Sequence, residues 1–271
     1  MSDARPIGVF DSGMGGLTVL RALRQKLPVE NLLYLGDTAR LPYGTKSSAT
    51  VTAYSLQATA LLAARGMKML VVACNTASAV ALGALAEALA PTPVIGVVLP
   101  GASAACAASS GHIAVIATEG TVRGGAYVRA IHAINPALKV SQVACSLFVT
   151  LAEEGWIDGP VLAQAAHRYL DPLFSGAAGA PDTLLLGCTH FPVLAPALAM
   201  LLGPNVRLVD SAATTAEAVA TLLPARGLAN TAPKAGETRF LVTDSPERFS
   251  RVGGIFFAAP VAAEAIEMVD L

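Results

Sequence analysis

The chain has 271 residues, of which 54% are hydrophobic and 5% aromatic, so it can form one large domain or two smaller ones with cores of small aliphatic side chains. Its 18 basic and 19 acidic residues give a formal net charge of −1, without the basic stripe that a nucleic-acid-binding protein carries. The mean hydropathy is +0.59, but polar residues and prolines interrupt every apolar run before it reaches the roughly 18–20 residues that a membrane span needs.

The cysteines and the first residues of the chain indicate the compartment. The four cysteines form no CxxC pair, which is typical of reduced thiols. Cys106 and Cys145 lack the polar context of the other two; Cys106 is expected in the core of an alanine-rich helix, and Cys145 ends a predicted strand. The opening residues, MSDARPIGVFDSG, contain no basic segment followed by a long apolar stretch, so no signal peptide is expected. The sequence predicts a cytoplasmic protein that binds neither nucleic acid nor membrane.

Strand-like and helix-like runs alternate from end to end. This alternation is typical of an α/β fold with parallel sheets, and the number of strands favours two α/β domains over one. A linker of small residues is expected at 175–181. The predicted strands are 7–10, 31–37, 67–74, 93–98, 112–118, 139–145, 182–188, 206–210 and 240–244, and the predicted helices are 15–27, 47–65, 76–90, 122–134 and 161–174.

Two cysteines occupy matching positions in the two halves of the chain. Cys74 ends the run MKMLVVAC and Cys188 ends DTLLLGC, and small polar residues follow each one. The carboxyl end of a parallel strand is where α/β proteins bind ligands. Two thiols that face one substrate from opposite sides suit a cofactor-free racemase. The alternative is that both are buried structural cysteines.

Residues next to each cysteine add chemistry. Cys74 precedes a predicted helix, whose N-terminus is expected to lower the thiol pKa from about 8.5, and Asn75 and Thr76 offer polar groups to a ligand. Beside Cys188, His190 is suited to proton transfer. Zinc is the alternative there, but a Cys-x-His sequence without a second nearby pair has poor ligand spacing.

Two glycine-rich loops follow the first two strands. FDSGMGG, residues 10–16, opens a helix with backbone N–H groups that can receive a carboxylate, although a plain strand-to-helix turn explains it too. GDTARLPYG, residues 36–44, has the turn formers Pro42 and Gly44 and could present Tyr43 to a ligand, or it is a surface turn.

These motifs together resemble the glutamate racemase family along nearly the whole chain. IGVFDSGMGGL, YLGDTARLPYG, VVACNTASA, LLLGCTHFP and VDSA occur in the family's order, and ATEGTV and ACSLFVTLAEEGW look like family segments. Ser146 and Thr150 replace usual prolines, Phe191 replaces a frequent tyrosine, and Met14 is a variant in the glycine turn. None of these departures touches a catalytic position.

The resemblance implies a cofactor-independent conversion of L-glutamate to D-glutamate for peptidoglycan synthesis. Cys74 would take the α-proton from D-glutamate and Cys188 from L-glutamate. The residues implied as catalytic are Cys74, Cys188, Asp11, His190 and Glu153. The residues implied as substrate-binding are Asp11, Ser12, Asp37, Pro42, Tyr43, Gly44, Asn75, Thr76, Thr118, Thr121, Thr189 and His190.

The resemblance also implies the domain layout. Residues 1–97 and 210–271 would form the first domain and 98–209 the second, with the active site in the cleft between them. No lysine lies in a strand-end motif suited to pyridoxal phosphate, since Lys46 is a loop residue, so we expect no cofactor and no metal. Dimers are common in the family, which makes a homodimer an open expectation.

Two alternative functions stay open at this point. The first is a sister racemase that acts on aspartate or a hydantoin, which the combined DSGMGG, PYG and GCTH motifs disfavour. The second is a protein that restrains DNA gyrase, as some family members do, often with an N-terminal extension that is not expected here because the first strand starts near Ile7.

Overall fold

A computed structural model describes residues 2–176 and 179–271 and contains two parallel β-sheets surrounded by helices. The predicted α/β class is therefore confirmed. The linker predicted at 175–181 includes residues 177 and 178, which lie outside the described residues. The strands are β1 (Ile7–Asp11), β2 (Leu32–Gly36), β3 (Met69–Val72), β4 (Val94–Gly96), β5 (His112–Ala117), β6 (Lys139–Ala144), β7 (Thr183–Gly187), β8 (Arg207–Asp210), β9 (Thr238–Val242) and β10 (Ile266–Met268).

Each sheet defines one lobe of the molecule. The first lobe is built on a six-stranded sheet of order β10-β9-β2-β1-β3-β4, and the second lobe on a four-stranded sheet of order β6-β5-β7-β8, with all pairs parallel. Strands β1, β2, β3 and β7 are buried along their whole length, as expected for parallel strands covered by helices on both faces. The chain returns to the first lobe for β9 and β10. The domain boundaries at residues 97/98 and 209/210 stay a prediction.

The five predicted helices are present, two of them interrupted, together with further helices. Their bounds are α1 (Leu17–Lys26), α2 (Ser48–Ala64), α3 (Asn75–Val80), α4 (Leu82–Ala88), α5 (Val98–Ala108), α6 (Glu119–Gly124), α7 (Ala126–Ile134), α8 (Ser146–Glu153), α9 (Gly159–Phe174), α10 (Ala195–Leu202), α11 (Ser211–Ala225) and α12 (Pro246–Phe257). The single helix predicted over 122–134 is wrong, because Gly125 adopts a left-handed conformation with φ of 61° and separates α6 from α7. The helix predicted over 76–90 likewise breaks at Ala81, where φ is −109°.

The carboxyl ends of four strands bring the sequence motifs together. β1 ends in Asp11, and β3 leads within two residues to Cys74. In the second lobe β5 leads to Thr118 and β7 to Cys188. Helix α11 packs against both α1 and α5, so it joins the two lobes behind these strand ends.

A buried ion pair holds the opposite, amino-terminal edge of the first sheet. Lys68 Nζ lies 2.5 Å from Glu30 Oε2, and the two side chains are 0% and 2% exposed. Lys68 Nζ also donates to the carbonyl oxygen of Asp3, and Glu30 Oε1 accepts from the backbone N–H of Asn230. The pair therefore ties β3 to the N-terminal segment and to the segment that returns from the second lobe.

We expect Lys68→Met to lower the free energy of unfolding by about 3–5 kcal/mol, because it leaves the Glu30 carboxylate buried without its partner. The double variant Lys68→Met/Glu30→Leu is expected to recover most of that loss, since removing both charges is often neutral. Urea unfolding measures both variants. Equal stability of the single variant and the wild type would contradict the expectation.

Candidate active site

The two motif cysteines lie buried at the facing ends of the two sheets. Cys74 and Cys188 are each 5% exposed. The Cys74 Sγ donates to Ser12 Oγ at 3.5 Å and accepts from the backbone N–H of Ala77 at 3.5 Å, as the cap of α3. The two thiols are close enough that negative charge on Cys188 contributes to the pKa of Cys74.

The lowered pKa predicted for Cys74 is wrong. Burial, reinforced by the charge of Asp11, raises the pKa of the Cys74 thiol to about 12, and the hydrogen bonds with Ser12 and Ala77 offset only part of this rise. The sequence placed Cys74 correctly at a helix start, but the enclosure by the second lobe is a tertiary effect that the local motif does not contain.

This protonation state predicts slow alkylation of Cys74. In the Cys188→Ser variant at pH 8, we expect iodoacetamide to label Cys74 more slowly than the half-buried Cys106, with a rate that is still rising at pH 10 because the thiolate is the reactive form. Peptide mass spectrometry resolves the two sites. A Cys74 rate that levels off below pH 8 would contradict the raised pKa.

The second cysteine belongs to a hydrogen-bonded row of side chains. Cys188 Sγ lies 3.8 Å from His190 Nδ1, and His190 Nε2 lies 3.0 Å from Glu153 Oε1. Burial alone would lower the pKa of His190, but the hydrogen bonds and charges of Cys188 and Glu153 outweigh burial and raise that pKa. Burial alone would raise the pKa of Glu153, but its hydrogen bonds and ion pairs with His190 and Arg248 hold that pKa below the usual range. The row therefore favours a His190 cation beside Cys188.

The glycine loop after β1 packs directly on the loop after β7. Asp11 is fully buried; its Oδ2 accepts from the backbone N–H of Gly13 at 2.9 Å, whereas Oδ1 has no hydrogen-bond partner among the described residues. Burial raises the pKa of Asp11, and the charge of His190 partly offsets that effect. A Cβ at Gly15 would overlap the side chains of His190 and Thr189, so only glycine allows this approach.

Polar side chains from both lobes form a second group of contacts. Asn75 Oδ1 accepts from the Tyr127 hydroxyl at 2.6 Å, whereas the Asn75 Nδ2 is buried without a partner among the residues that the structure describes. The hydroxyl of Thr76 lies 3.0 Å from that of Thr118 and 3.3 Å from that of Thr121. The group thus joins α3 of the first lobe to α6 and α7 of the second.

The loop after β2 is fixed by Asp37. Its carboxylate accepts hydrogen bonds from Tyr43 at 2.5 Å, Arg40 at 2.7 Å and Thr243 at 2.9 Å, which makes Asp37 a residue that holds the loop. A Cβ on the neighbouring Gly44 would lie 2.7 Å from the Thr118 Cβ, so this loop also touches the second lobe. Pro42 is exposed just before the short turn Tyr43–Thr45.

Sequence reasoning missed four residues of this region: Arg40, Tyr127, Thr243 and Arg248. Tyr127, Thr243 and Arg248 lie 52, 206 and 95 residues along the chain from the predicted residue that each one contacts. Arg40 lies only three residues from Asp37, but no motif marks it. Only Tyr127 carries a signal, because a tyrosine on the apolar face of an amphipathic helix needs a partner for its hydroxyl.

The described residues include no group of three His, Cys, Asp or Glu side chains placed to hold a metal ion. Across 2–176 and 179–271, no helix has the length and apolar character to cross a membrane. The expectation of a cofactor-free, metal-free reaction stays a prediction. Asn75, Thr76, Thr189 and His190 are all buried, at most 8% exposed.

Comparisons with known proteins agree along the whole chain. The model of the Asp/Glu/Hydantoin racemase family matches residues 7–219. A curated protein of Geobacter metallireducens named glutamate racemase is 50% identical over 253 residues, which cover 93% of this chain and 92% of that protein. The structure of glutamate racemase from Francisella tularensis in complex with D-glutamate has 38% identity and a TM-score of 0.91, covering 99% of this chain and 98% of that chain. The glutamate racemase of Thermus thermophilus in complex with β-chloro-D-alanine has 44% identity and a TM-score of 0.88, covering 100% and 99%.

Proposed function

Because the chain belongs to the Asp/Glu/hydantoin racemase family, we propose that it is a glutamate racemase that interconverts L- and D-glutamate with two cysteine bases. The observation that carries the proposal is the pair of buried thiols, Cys74 and Cys188, at the carboxyl ends of strands in two facing sheets. Relatives named glutamate racemase along nearly the full length support glutamate over aspartate or a hydantoin as substrate.

The reaction needs one base on each face of the substrate's α-carbon. A thiolate on one face removes the α-proton, which breaks the C–H bond, forms an S–H bond and leaves a planar carbanion. The thiol on the other face then donates its proton to the carbanion and becomes the thiolate. A single base would return the proton to the face it came from, so inversion requires both Cys74 and Cys188.

The protonated Cys74 thiol suits a reaction that starts from L-glutamate. Cys74 is a thiol, since its pKa is about 12, and is therefore the proton donor. Cys188 Sγ lies 3.8 Å from His190 Nδ1, so this histidine is placed to assist proton transfer at that sulfur. If Cys188 takes the proton from L-glutamate, as the family resemblance implies, the Cys74 thiol then supplies the proton that completes D-glutamate.

The reverse reaction needs a Cys74 thiolate, and the substrate itself can supply the required charge. Burial and the Asp11 carboxylate oppose that thiolate. Asp11 Oδ1 is a buried acceptor with no partner among the described residues, which suits the ammonium group of an amino acid. An ammonium group held there would bring positive charge near Cys74 and lower its pKa on binding.

Carboxylate recognition is assigned to the polar group around Asn75. The buried Nδ2 of Asn75 lacks an acceptor among the described residues. An unpaired buried donor costs about 1–3 kcal/mol of free energy, which a substrate carboxylate would recover by accepting from it. The hydroxyls of Thr76, Thr118 and Thr121 can reorient to donate as well. These donors, together with the exclusion of water, would stabilise charge that spreads from the carbanion onto its carboxylate.

The proposal also includes the domain arrangement and the cell compartment in which the reaction takes place. The cleft would lie between a domain of residues 1–97 and 210–271 and a domain of 98–209, and opening between them would admit glutamate. Reduced thiols are essential to the mechanism, which favours the reducing cytoplasm. There the enzyme would supply D-glutamate for peptidoglycan synthesis.

A substrate panel tests the proposal. Circular dichroism follows the loss of ellipticity from each enantiomer of glutamate, aspartate and a 5-substituted hydantoin, without added metal or cofactor. We expect glutamate to be racemised from both sides at kcat/KM values at least about 100-fold above those for aspartate, because the shorter side chain misplaces one carboxylate. Turnover of aspartate or hydantoin in preference to glutamate would overturn the proposal.

A further inference from the structure

The C-terminal helix α12 of the first lobe lies over the His190 side of the cleft. Its Phe256 ring contacts the His190 ring edge-to-face with centroids 5.0 Å apart. One face of the same helix is anchored in the first lobe, where Phe249 packs against Tyr34 of β2 and Phe240 of β9. Helix α12 therefore belongs to one lobe and touches the catalytic histidine of the other.

The same helix makes an ion pair across the cleft. Arg248 Nη2 lies 2.8 Å from Glu153 Oε2, and Glu153 uses its other oxygen, Oε1, for His190 at 3.0 Å. Glu153 ends α8, which packs in the second lobe through the contact of Phe148 with Phe191. The row Cys188–His190–Glu153 thus continues to a cation that the opposite lobe supplies.

We propose that Arg248 is a positioning residue that completes the Cys188–His190–Glu153 row only when the lobes close. The inference rests on the proposed racemase function. Two oxygens of one carboxylate hold two partners, so Arg248 fixes the carboxylate plane and with it the direction from which Glu153 meets the His190 ring. Opening of the cleft separates Arg248 from Glu153, and closure around a substrate restores the contact.

The charges around this row determine the direction in which the pKa of Glu153 changes when Arg248 is removed. His190 faces Cys188, Glu153 and the Asp11 carboxyl, and Glu153 faces His190 and Arg248. Arg248 favours the ionised form of Glu153, so its removal raises the pKa of that carboxyl. Activity that needs an ionised Glu153 is then lost at a higher pH during acidification.

The test compares Arg248→Met with Arg248→Lys and with Arg251→Met. Methionine keeps the apolar stem of the arginine without its charge. Arg251 is exposed on the same helix and provides a matched loss of charge.

We expect Arg248→Met to lower kcat about 10-fold, through misplacement of the row, with a much smaller change in KM. The acid limb of its kcat/KM profile should move up by roughly half a pH unit, as a half-exposed ion pair allows. Arg248→Lys should restore most of kcat, and Arg251→Met should match the wild type.

A second measurement does not depend on activity. Carbon-13 NMR of the glutamate carboxyl groups, with Glu153 assigned through Glu153→Gln, reports its titration directly. We expect the Glu153 titration to move to higher pH in Arg248→Met and to stay in place in Arg251→Met. An unmoved titration, or equal effects of the two methionine variants, would overturn the role of Arg248. If the titration moves in Arg248→Met but the wild-type protein does not racemise glutamate, the role of Arg248 stands and the racemase function is refuted.

Discussion

Replacing either Cys74 or Cys188 by serine is expected to lower the rate of glutamate racemisation by about 10²–10⁴-fold, the usual contribution of a positioned acid or base. A serine hydroxyl has nearly the same shape as the thiol but is far less acidic, so it neither forms the anion nor matches the proton affinity of its partner. Cys106→Ser is the control, because Cys106 lies half-buried in α5, hydrogen-bonded to the carbonyl oxygen of Ile131. Its racemisation rate should equal that of the wild type.

Thermodynamics constrains how these losses appear. L- and D-glutamate are mirror images with equal free energies, so each variant must have the same kcat/KM from both sides. The unequal neighbours of the two cysteines can therefore change kcat and KM separately for each enantiomer but not their ratio. Circular dichroism from both directions measures this. Full turnover by both Cys74→Ser and Cys188→Ser would contradict the two-base assignment.

Removing the free donor of Asn75 is the second large effect we expect. Asn75→Leu keeps a similar side-chain shape and deletes the buried Nδ2, which we assign to a substrate carboxylate. A hydrogen bond to a charged group contributes about 1.5–3 kcal/mol, so kcat/KM should fall roughly 10–150-fold, most of it through KM. Initial rates over a range of glutamate concentrations separate the two constants.

The matched control for Asn75 is Tyr127→Phe. The Tyr127 hydroxyl donates to Asn75 Oδ1 at 2.6 Å, so phenylalanine frees the amide to rotate but leaves its NH₂ group in place. We expect less than about a 10-fold loss, since a neutral hydrogen bond contributes about 1 kcal/mol. An Asn75→Leu variant with the KM of the wild type would remove Asn75 from substrate binding.

The parts of the fold that depend on short runs of sequence were predictable. Apolar runs that end in small polar residues identified β3 and β7 and placed Cys74 and Cys188 at strand ends. The ends of α2 likewise depend on local chemistry, because Ser47 accepts from the backbone N–H of Thr50 and Gly66 has a φ of 76° beyond the helix end. Short β10 was not anticipated, since its half-exposed edge sequence lacks a strong strand pattern.

The electrostatics of the site depended on contacts that no local pattern contains. The helix start at Cys74 predicted a lowered pKa, but burial of the thiol at the meeting of the two lobes raises it. The ion pair of Arg248 with Glu153 joins positions 95 residues apart on different lobes. Such effects follow from how the sheets face each other, which a single sequence does not specify.

Deuterium uptake at the α-carbon in D₂O tests the central claim most directly. Each glutamate enantiomer is incubated with the enzyme, and substrate and product are separated early in the reaction and analysed by mass spectrometry. Two bases on opposite faces predict a product that carries deuterium, taken from the exchanged thiol, while the remaining substrate stays almost entirely protiated. A product that keeps the original proton, or substrate labelled as fast as product forms, would show a single base and contradict the pairing of Cys74 with Cys188.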